Sequence, residues 1–379
     1  MPWEVAPVLE LRLAFVHQVV SLNVPLARAC RQFNISRKTG YKWLARYRSL
    51  PPLPLTDRSR RPQRSPRKTA GALEQKIVSV RKRYRWGPRK IRALLIRQGL
   101  AMPSVRTVAN ILVRNGCIIP PTSEPQSQPL QFFERAQPNQ LWQCDHKGPL
   151  EVARQKIHPF TVLDDHSRFL FTIRACTELT MRTAFNVLWD VFGEFGLPES
   201  LLADNAFGTN FSVPKTLSWF DAQLIRLGIN PVHGRPYHPQ TQGKIERLHG
   251  TLQRELWPLV RRDSIANFQR DVNHWRAHVY NTLRPHEALG DVPPVTRFRL
   301  SSRQRPPRMP PVDYPPDAVL RKVSRAGDIS FNSFRILAGA GLVGEFVRVQ
   351  DRGHEIALFY SWKQFRVLAA SQLQRHNLC

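Results

Sequence analysis

The sequence predicts a multidomain protein built around an α/β core, with small helical units before the core and a small all-β unit after it. Three observations lead to this prediction: a length of 379 residues, proline-rich segments that divide the chain, and a long stretch in which strand and helix patterns alternate. At roughly 100–200 residues per domain, this length provides for two to four domains. Alternating strand and helix patterns are typical of a sheet covered by helices.

Proline-rich segments mark three linkers. Proline lacks a backbone N–H and fixes φ, so these segments are predicted to be extended rather than helical. They separate a helix-turn-helix domain, a second helix-turn-helix-like domain, the α/β core and the small β unit. The predicted domains cover 1–49, 70–118, 139–295 and 319–370, and the linkers cover 50–69, 119–138 and 296–318.

Basic residues dominate the charge and are concentrated near the N-terminus. The chain has 57 Lys and Arg against 28 Asp and Glu, and its first 120 residues hold 25 basic and 4 acidic side chains. Charge concentrated in this way is typical of polyanion binding, because neutralised phosphates release counterions. No segment approaches the ~18 uncharged apolar residues of a membrane span. The five scattered cysteines include no Cys-x-x-Cys, so we expect neither a disulfide framework nor a Cys-based zinc site.

Residues 26–48 carry the pattern of a helix-turn-helix. Asn34 suits a left-handed turn, and Ser36 is predicted to cap a helix over RKTGYKWLARYR. Trp43, Leu44 and Tyr47 are predicted to face inward. The side chains expected to face the major groove or its phosphates are Arg37, Lys38, Thr39, Tyr41 and Lys42. A three-helix bundle for protein contacts is the alternative interpretation.

The first linker and the second helical unit extend the basic surface. In the linker, Arg58, Arg60 and Arg61 are expected to contact the phosphate backbone. The second unit is predicted to have a helix over 72–84, a middle segment WGPRKIRALLIRQGL and a helix capped by Ser104 that ends at Gly116. We interpret it as another small DNA-binding unit.

The central block predicts three strands, then helix, strand, helix, strand and helix. Its first strand places Gln143 and Asp145 on one face, and a hairpin is predicted to turn at Asp165, His166 and Ser167. The last helix has a buried apolar stripe formed by Ile245, Leu248, Leu252 and Leu256. This order predicts a mixed five-stranded sheet flanked by helices.

Three carboxylates stand where this architecture could bring them together. Asp145 ends the first strand, Asp204 ends the fourth, and Glu246 lies near the start of the last helix. Converging carboxylates repel one another, and hard oxygen ligands suit Mg²⁺ or Mn²⁺. Two such ions about 3.5–4 Å apart can promote an in-line phosphoryl displacement. Because any α/β domain has acidic residues at strand ends, a structural role stays open.

Several motifs give the chain a specific resemblance. They are LWQCDHKG around Asp145, TVLDDHSRF, LLADNAFGTNF at Asp204 and RPYHPQTQGKIERLHGTLQRE around Glu246. NTLRPHEALGDVPP, over 281–294, looks like the segment that closes the core in insertion-sequence proteins. Residues 139–295 therefore resemble the DDE integrase/transposase family, and specifically a bacterial insertion-sequence transposase with a retroviral-integrase-like catalytic core.

The resemblance implies a ribonuclease-H-like core and, for the C-terminal strands, a small SH3-like barrel. It implies that Asp145, Asp204 and Glu246 are the catalytic residues and bind two Mg²⁺ or Mn²⁺ ions. The expected activity is cleavage at transposon ends followed by transfer of the 3′-OH into target DNA. The expected partners are double-stranded DNA, as terminal inverted repeats and target, and further copies of the chain in a dimer or higher multimer. Neither a nucleotide cofactor nor a membrane is expected, and the bacterial cytoplasm, at the nucleoid, is the expected location.

Other functions and roles are weighed against this interpretation. A DNA-binding regulator with an inactive core and a ribonuclease-H-like nuclease without strand transfer are the alternative functions. Lys244 and Arg247, beside Glu246, are expected to contact DNA phosphates, with a solvated charged face as the equal alternative. Asp164 and Asp165 are expected to cap a turn and pair with Arg168. The glycine pattern of GAGLVG, at 339–344, is not expected to bind a dinucleotide because a strand follows it.

Overall fold

The structure is a computed structural model, and it falls into two compact units, Met1–Lys68 and Thr69–Cys379. The residues it describes are 8–49, 55–57, 68–118, 134–204, 216–233 and 243–369. Arg58, Arg60 and Arg61, with most of the predicted linkers 50–69 and 119–138, lie outside the described residues.

The first unit contains the predicted helix-turn-helix. Its helices are α1 (Val8–Val20), α2 (Leu26–Gln32) and α3 (Arg37–Arg48). Asn34 has a φ of 49°, the left-handed conformation expected of the turn. The hydroxyl of Ser36 accepts a hydrogen bond from the backbone N–H of Thr39 at 3.1 Å, so the predicted cap of α3 is present.

The small core of this unit explains both a correct and an incorrect prediction. Trp43 and Leu44 are buried as predicted, whereas Tyr47 is 43% exposed. Tyr47 lies in the last turn of α3, and Leu55 from the following segment is buried in the same small core. Gly40 lies in the middle of α3, where an added Cβ would be 2.6 Å from the Sγ of Cys30. The glycine therefore allows α2 and α3 to approach closely.

The second unit begins with another group of helices. They are α4 (Gly71–Tyr84), α5 (Pro88–Arg97) and α6 (Val105–Arg114). Trp86, Ile91, Leu95 and Ile111 are fully buried at their centre. Ser104 accepts a hydrogen bond from the backbone N–H of Thr107 at 3.2 Å, which confirms the predicted cap of α6.

A mixed sheet forms the α/β core. Its strands are β1 (Leu141–His146), β2 (Leu150–Val152), β3 (Gln155–Asp164), β4 (Leu170–Cys176), β5 (Ser200–Ala203) and β6 (Asn230–His233). In the described part of the chain the sheet has six strands, in the order β2-β3-β1-β5-β6 with β4 also paired to β3. Strands β1, β3 and β4 are antiparallel, and β5 and β6 run parallel to β1.

The predicted count of five strands is wrong by one short strand. The additional strand, β2, forms a hairpin with β3 through Ala153 and Arg154, whose φ values are 50° and 62°. Positive φ at both central residues matches the right-handed twist of a hairpin, but neither residue is a typical turn former. Without β2, the order β4-β3-β1-β5-β6 is that of the ribonuclease-H-like fold implied by the sequence motifs.

Helices cover both faces of this sheet. They are α7 (Met181–Phe195), α8 (Trp219–Arg226), α9 (Gly243–Thr251) and α10 (Ile265–His274). Trp142 and Cys144 pack under α7 and α8, while α9 and α10 pack over the opposite face. The predicted stripe of α9, from Ile245 to Leu256, is buried in that second cluster. The helix continues beyond Thr251 through a π-helical turn, Leu252–Leu256.

The turn between β3 and β4 is stabilised by Asp164, as predicted. Its carboxylate accepts hydrogen bonds from the N–H and hydroxyl of Ser167, at 2.7 and 2.6 Å. The predicted pairing of the acidic pair with Arg168 is wrong. Arg168 donates instead to Glu134 at 2.7 Å, because the carboxylate of Asp165 is occupied by other donors.

The C-terminal strands form a four-stranded sheet and a separate hairpin. The strands are β7 (Leu320–Lys322), β8 (Asp328–Phe331), β9 (Phe334–Leu337), β10 (Phe346–Asp351), β11 (Glu355–Tyr360) and β12 (Lys363–Ala369). The sheet order is β12-β11-β10-β7, and β8 pairs with β9. The hairpin of β8 and β9 turns at Asn332 and Ser333, whose φ values are 49° and 62°.

The C-terminal strands pack directly on α8. Ala222 and Ile225 of α8 are buried in the same apolar cluster as Val347 and Leu358. A Cβ added to Gly341 would be 2.3 Å from the backbone carbon of Ser218. Gly339 and Gly341 therefore allow a close backbone contact with the residues at the start of α8.

The segment between core and C-terminal strands, 296–318, is bound along the core. Phe298 stacks on Phe169 with ring centroids 4.0 Å apart. The guanidinium of Arg303 donates to the carbonyl oxygens of Leu227 and Gly228, at 3.1 and 2.7 Å, just beyond the end of α8. Cations at the last carbonyls of a helix are stabilising, and these contacts fix the segment in place.

Candidate active site

Parallel pairing of β1 and β5 brings two of the predicted carboxylates to the same level. Gln143 of β1 is paired with Leu202 of β5. Asp145 and Asp204 each follow two residues later, so they leave the same edge of the sheet side by side. Neighbouring strands are about 4.8 Å apart, which places both side chains within reach of one ligand.

Electrostatic coupling links Glu246 to this pair. The pKa of Asp145 is raised to about 6, first by burial, then by the negative charge of Asp204, with a smaller contribution from Glu246. The backbone N–H of His146 and the charge of Lys147 oppose the shift. Burial and like charge both disfavour the ionised carboxylate. The three residues predicted from the sequence therefore share one electrostatic environment.

Glu246 is exposed in the first turn of α9, while its neighbours anchor the helix. Ile245 and Leu248 are buried against β3 and β4. Residues 205–215, after Asp204, and 234–242, before α9, lie outside the described residues. Among the residues that are described, no three His, Cys, Asp or Glu side chains are close enough together to hold a metal ion. The donor chemistry of the triad nevertheless fits a hard cation, which would relieve the repulsion at Asp145.

His249, which the sequence interpretation left out of the catalytic set, lies beside Asp145. The hydroxyl of Thr161 donates to the carbonyl oxygen of Asp145 at 3.1 Å, and its oxygen lies 3.0 Å from Nε2 of His249. Nε2 must then carry the hydrogen, which leaves Nδ1 as an acceptor 3.8 Å from Oδ2 of Asp145. Burial, followed by the charge of Lys147, lowers the pKa of His249 to about 4, so the ring is neutral.

A sequence signal for His249 was available. It follows Glu246 by three residues, and residues three apart occupy neighbouring positions on a helix surface. A histidine that is one turn from a predicted catalytic carboxylate and on the buried side of its helix is a candidate for contact with the site.

Family models match most of the α/β core and the N-terminal helices. Two models described as integrase core domain match residues 135–239 and 227–294. A helix-turn-helix domain matches 11–63, and a homeodomain-like domain matches 39–112. An uncharacterized 39.2 kDa protein of the insertion element IS476 of Xanthomonas euvesicatoria is 24% identical over 171 residues. These matches support the resemblance of the core to the DDE integrase/transposase family.

The similar proteins share only parts of this chain. The IS476 match covers 45% of the chain and 47% of that protein. The Gag-Pro-Pol polyprotein of mouse mammary tumor virus (strain BR6) is 32% identical over 119 residues, 31% of this chain and 6% of the polyprotein. The chain thus spans less than half the length of these relatives.

A solved structure of a simian T-cell lymphotropic virus intasome, in complex with PP2A regulatory subunit B56 gamma, is also similar. It aligns with 80% of this chain and 99% of its own at 16% identity and a TM-score of 0.38. The fold of the core is assigned instead from the order of its strands and from the matching family models.

Lys244, two residues before Glu246, forms an ion pair with a buried carboxylate. Its ammonium pairs with the carboxylate of Asp165, which also accepts hydrogen bonds from Gln143 and from the backbone N–H of Arg135, both at 2.8 Å. Burial lowers the pKa of Lys244, and the hydrogen bond to Asp165 opposes that shift. Arg247 is exposed on the same helix. DNA contact by Lys244 and Arg247 stays a prediction.

In the helix-turn-helix of the first unit, most of the predicted DNA-facing residues are accessible. Arg37, Lys38, Tyr41 and Lys42 are exposed along α3, while Thr39 is half-buried and shares the cap of Ser36. Their contact with DNA is not tested by the structure. The described residues include no helix with both the length and the apolar character of a membrane span.

Proposed function

We propose that the protein is a transposase that cuts DNA at the ends of its element and joins the freed 3′-OH to target DNA. The observation that carries this proposal is the register of β1 and β5, which aligns Asp145 with Asp204 beside the helix of Glu246. The matches to integrase core domains and to an insertion-element protein support it.

Asp145, Asp204 and Glu246 are the residues that would hold two Mg²⁺ or Mn²⁺ ions. Their oxygens are hard ligands, and the pKa of Asp145 is raised first by burial and then by the charge of Asp204, a repulsion that bound cations would relieve. When bound, such ions stabilise charge on the attacking and leaving oxygens of a phosphoryl displacement.

Other residues of the chain position the triad. Thr161 donates to the main-chain carbonyl oxygen of Asp145, and His249 bonds to the Thr161 hydroxyl and borders the Asp145 carboxylate, which limits the movement of Asp145. In each step of the proposed reaction one phosphodiester bond breaks as an oxygen of water or of a 3′-OH attacks phosphorus. The joining step exchanges one phosphodiester for another, so it needs neither a nucleotide nor a covalent bond to the protein.

The proposal is tested with the full chain and a duplex that carries the ends of its own element. With Mg²⁺ present, we expect strands cut at the element ends with a free 3′-OH, followed by products joined to a second duplex. Cutting without joined products would indicate the ribonuclease-H-like nuclease instead. Binding without cutting would indicate the DNA-binding regulator with an inactive core.

We propose a separate role for each segment of this transposase. Residues 1–49, 50–69 and 70–118 bind the terminal inverted repeats, 139–295 cut and join DNA, and 319–370 form an SH3-like barrel attached through 296–318. Lys244 and Arg247 would contact DNA beside the active site. Because two ends must be joined together, the active form is a dimer or higher multimer on DNA, at the nucleoid of the bacterial cytoplasm.

If α3 recognises DNA, two sets of substitutions should affect DNA binding in different ways. Changing Arg37, Lys38 or Lys42 to Ala should weaken binding to the terminal repeat by roughly 1–3 kcal/mol for any residue that reads a base, with little effect on scrambled DNA. Changing Arg58, Arg60 and Arg61 should weaken binding to both duplexes alike. It should also flatten the salt dependence by about 0.9 in log K per log salt for each phosphate that is no longer neutralised.

Competition binding of the full chain to terminal-repeat and scrambled duplexes at several salt concentrations measures both effects. Equal affinity of the unaltered protein for the two duplexes would contradict sequence reading by α3. In that case the alternative holds, in which the helices of the first unit contact protein rather than DNA.

A further inference from the structure

A buried carboxylate lies on the same helix as Glu246. Glu255 follows Glu246 by nine residues, within the π-helical turn that extends α9. It also follows Leu248 by seven residues, so it belongs to the buried face of the helix, and it is only 4% exposed. A charge at such a position is costly unless it is fully paired, and the residues that pair with it are therefore informative.

The partners of Glu255 come from two distant parts of the sequence. The indole N–H of Trp86 donates to Oε2 at 3.0 Å, and the ammonium of Lys90 donates to Oε1 at 2.9 Å. Arg284, from the segment that follows α10, donates to both oxygens, at 2.7 and 3.0 Å. Arg284 also reaches the hydroxyl of Thr251 at 3.3 Å. Both oxygens of the carboxylate are thus bound by more than one donor.

Further contacts fix α5 and its neighbours on the integrase core. Arg89 binds the carboxylates of Asp291 and Glu287, and Arg97 donates to the carbonyl oxygen of Leu283 at 2.7 Å. Leu283 also packs against the apolar centre formed by Trp86 and the helices around it. Basic residues at the start of α5 are therefore directed at acidic groups of the core, although the sequence pattern predicted that the whole unit binds DNA.

We propose that residues 70–118 are a positioning element of the active site, in which Trp86 and Lys90 hold Glu255 and thereby hold the helix that carries Glu246. This inference rests on the proposed cleavage activity. Because α9 continues without a break into the π-helical turn, its backbone hydrogen bonds transmit a shift at Glu255 to Glu246. A misplacement of about 1 Å at a reacting group can cost 10²-fold in rate.

Substitution of Lys90 in the full chain tests this role. Lys90→Met keeps the aliphatic stem and removes the charge, and we expect the cleavage rate at saturating DNA to fall roughly 10–100-fold, as for other groups that orient metal ligands. The dissociation constant of the element ends should stay within about twofold, because the ammonium faces Glu255 rather than DNA. Lys90→Arg should restore most of the rate. Lys322→Met, at an exposed position of β7 outside the DNA-binding and catalytic segments, is the control and should cleave normally.

Trp86→Phe tests the same role with the apolar packing largely kept. It removes the indole N–H, and amide hydrogen exchange in α9 should become faster in both variants while exchange in β1 and β3 is unchanged. This measurement needs no cleavage, so an unaltered protein that does not cut DNA would refute the proposed function alone. Normal cleavage and normal exchange in Lys90→Met and Trp86→Phe would overturn the inference. So would a reduction in rate that saturating DNA removes, because Lys90 would then be a DNA contact.

Discussion

Replacing Asp145, Asp204 or Glu246 by its amide is expected to abolish DNA cleavage and to leave binding of the element ends nearly intact. Asp145→Asn, Asp204→Asn and Glu246→Gln each keep the shape of the side chain and remove a charge that would hold a metal ion. Gel assays of cutting and equilibrium binding to the same duplex measure the two properties separately. Cleavage retained by any one variant would remove that residue from the site.

A stability measurement shows whether these variants have lost a cation or their fold. Mg²⁺ that binds only the folded protein stabilises it by about 2.7 kcal/mol at 100 times its dissociation constant. The unaltered protein should therefore gain thermal stability with Mg²⁺, and the three variants should gain much less. Asp190→Asn changes an exposed carboxylate on α7, and this control should keep both cleavage and the response to Mg²⁺.

The raised pKa of Asp145 fixes the sign of a second comparison in metal-free buffer. The folded pKa of about 6 lies above the ordinary value of 3.8, so Asp145 favours folding below pH 3.8 relative to neutral pH. This contribution disappears as the pH rises through 6. Asp145→Asn removes this ionisation, so at pH 8 the variant should unfold at a higher urea concentration than the unaltered protein. The difference between the two urea midpoints should disappear below pH 4.

Local features of the fold could be predicted from the sequence, whereas turns without typical residues could not. Asn34 and Ser36 identified the turn and cap of the helix-turn-helix because their side chains favour those conformations intrinsically. The hairpin that creates β2 turns at Ala153 and Arg154, which have no such preference. The pairing of β2 with β3 imposes that turn, and the local sequence contains no pattern that predicts it.

The same distinction separates the predicted from the missed parts of the site. Asp145 and Asp204 could be found because each directly follows a buried strand, but their alignment depends on the parallel register of β1 and β5. Arg168 was paired with a neighbour in sequence, yet its partner is Glu134, 34 residues earlier. The contact of Trp86 with Glu255 spans 169 residues. Pairings at such distances depend on how the domains pack, which periodicity does not encode.

Removal of Arg284 is expected to destabilise the second unit by about 3–5 kcal/mol, the usual cost of breaking a buried ion pair by removing one partner. Arg284 and Glu255 are 5% and 4% exposed and are joined by two hydrogen bonds. Urea unfolding of Arg284→Met at pH 7, followed by tryptophan fluorescence, measures the decrease in stability. Arg261→Met removes the same kind of pair, with Asp271, at an exposed position and should cost far less.

A second substitution and a pH series separate the effect of the buried charge from that of side-chain packing. Glu255→Gln in the Arg284→Met background removes the buried charge that has lost one of its two cationic partners but keeps an acceptor for Trp86, so it should recover much of the free energy of unfolding. Burial alone would raise the pKa of Glu255, but the hydrogen bonds and charges of Arg284 and Lys90 outweigh it and lower that pKa. The stabilisation is therefore present above the ordinary pKa of 4.5 and is lost as the pH falls through the lower folded value. The loss of unfolding free energy in Arg284→Met should accordingly become smaller below about pH 4.5. A loss that does not depend on pH would mean that the packing of the Arg284 side chain, rather than its charge, stabilises the contact with Glu255.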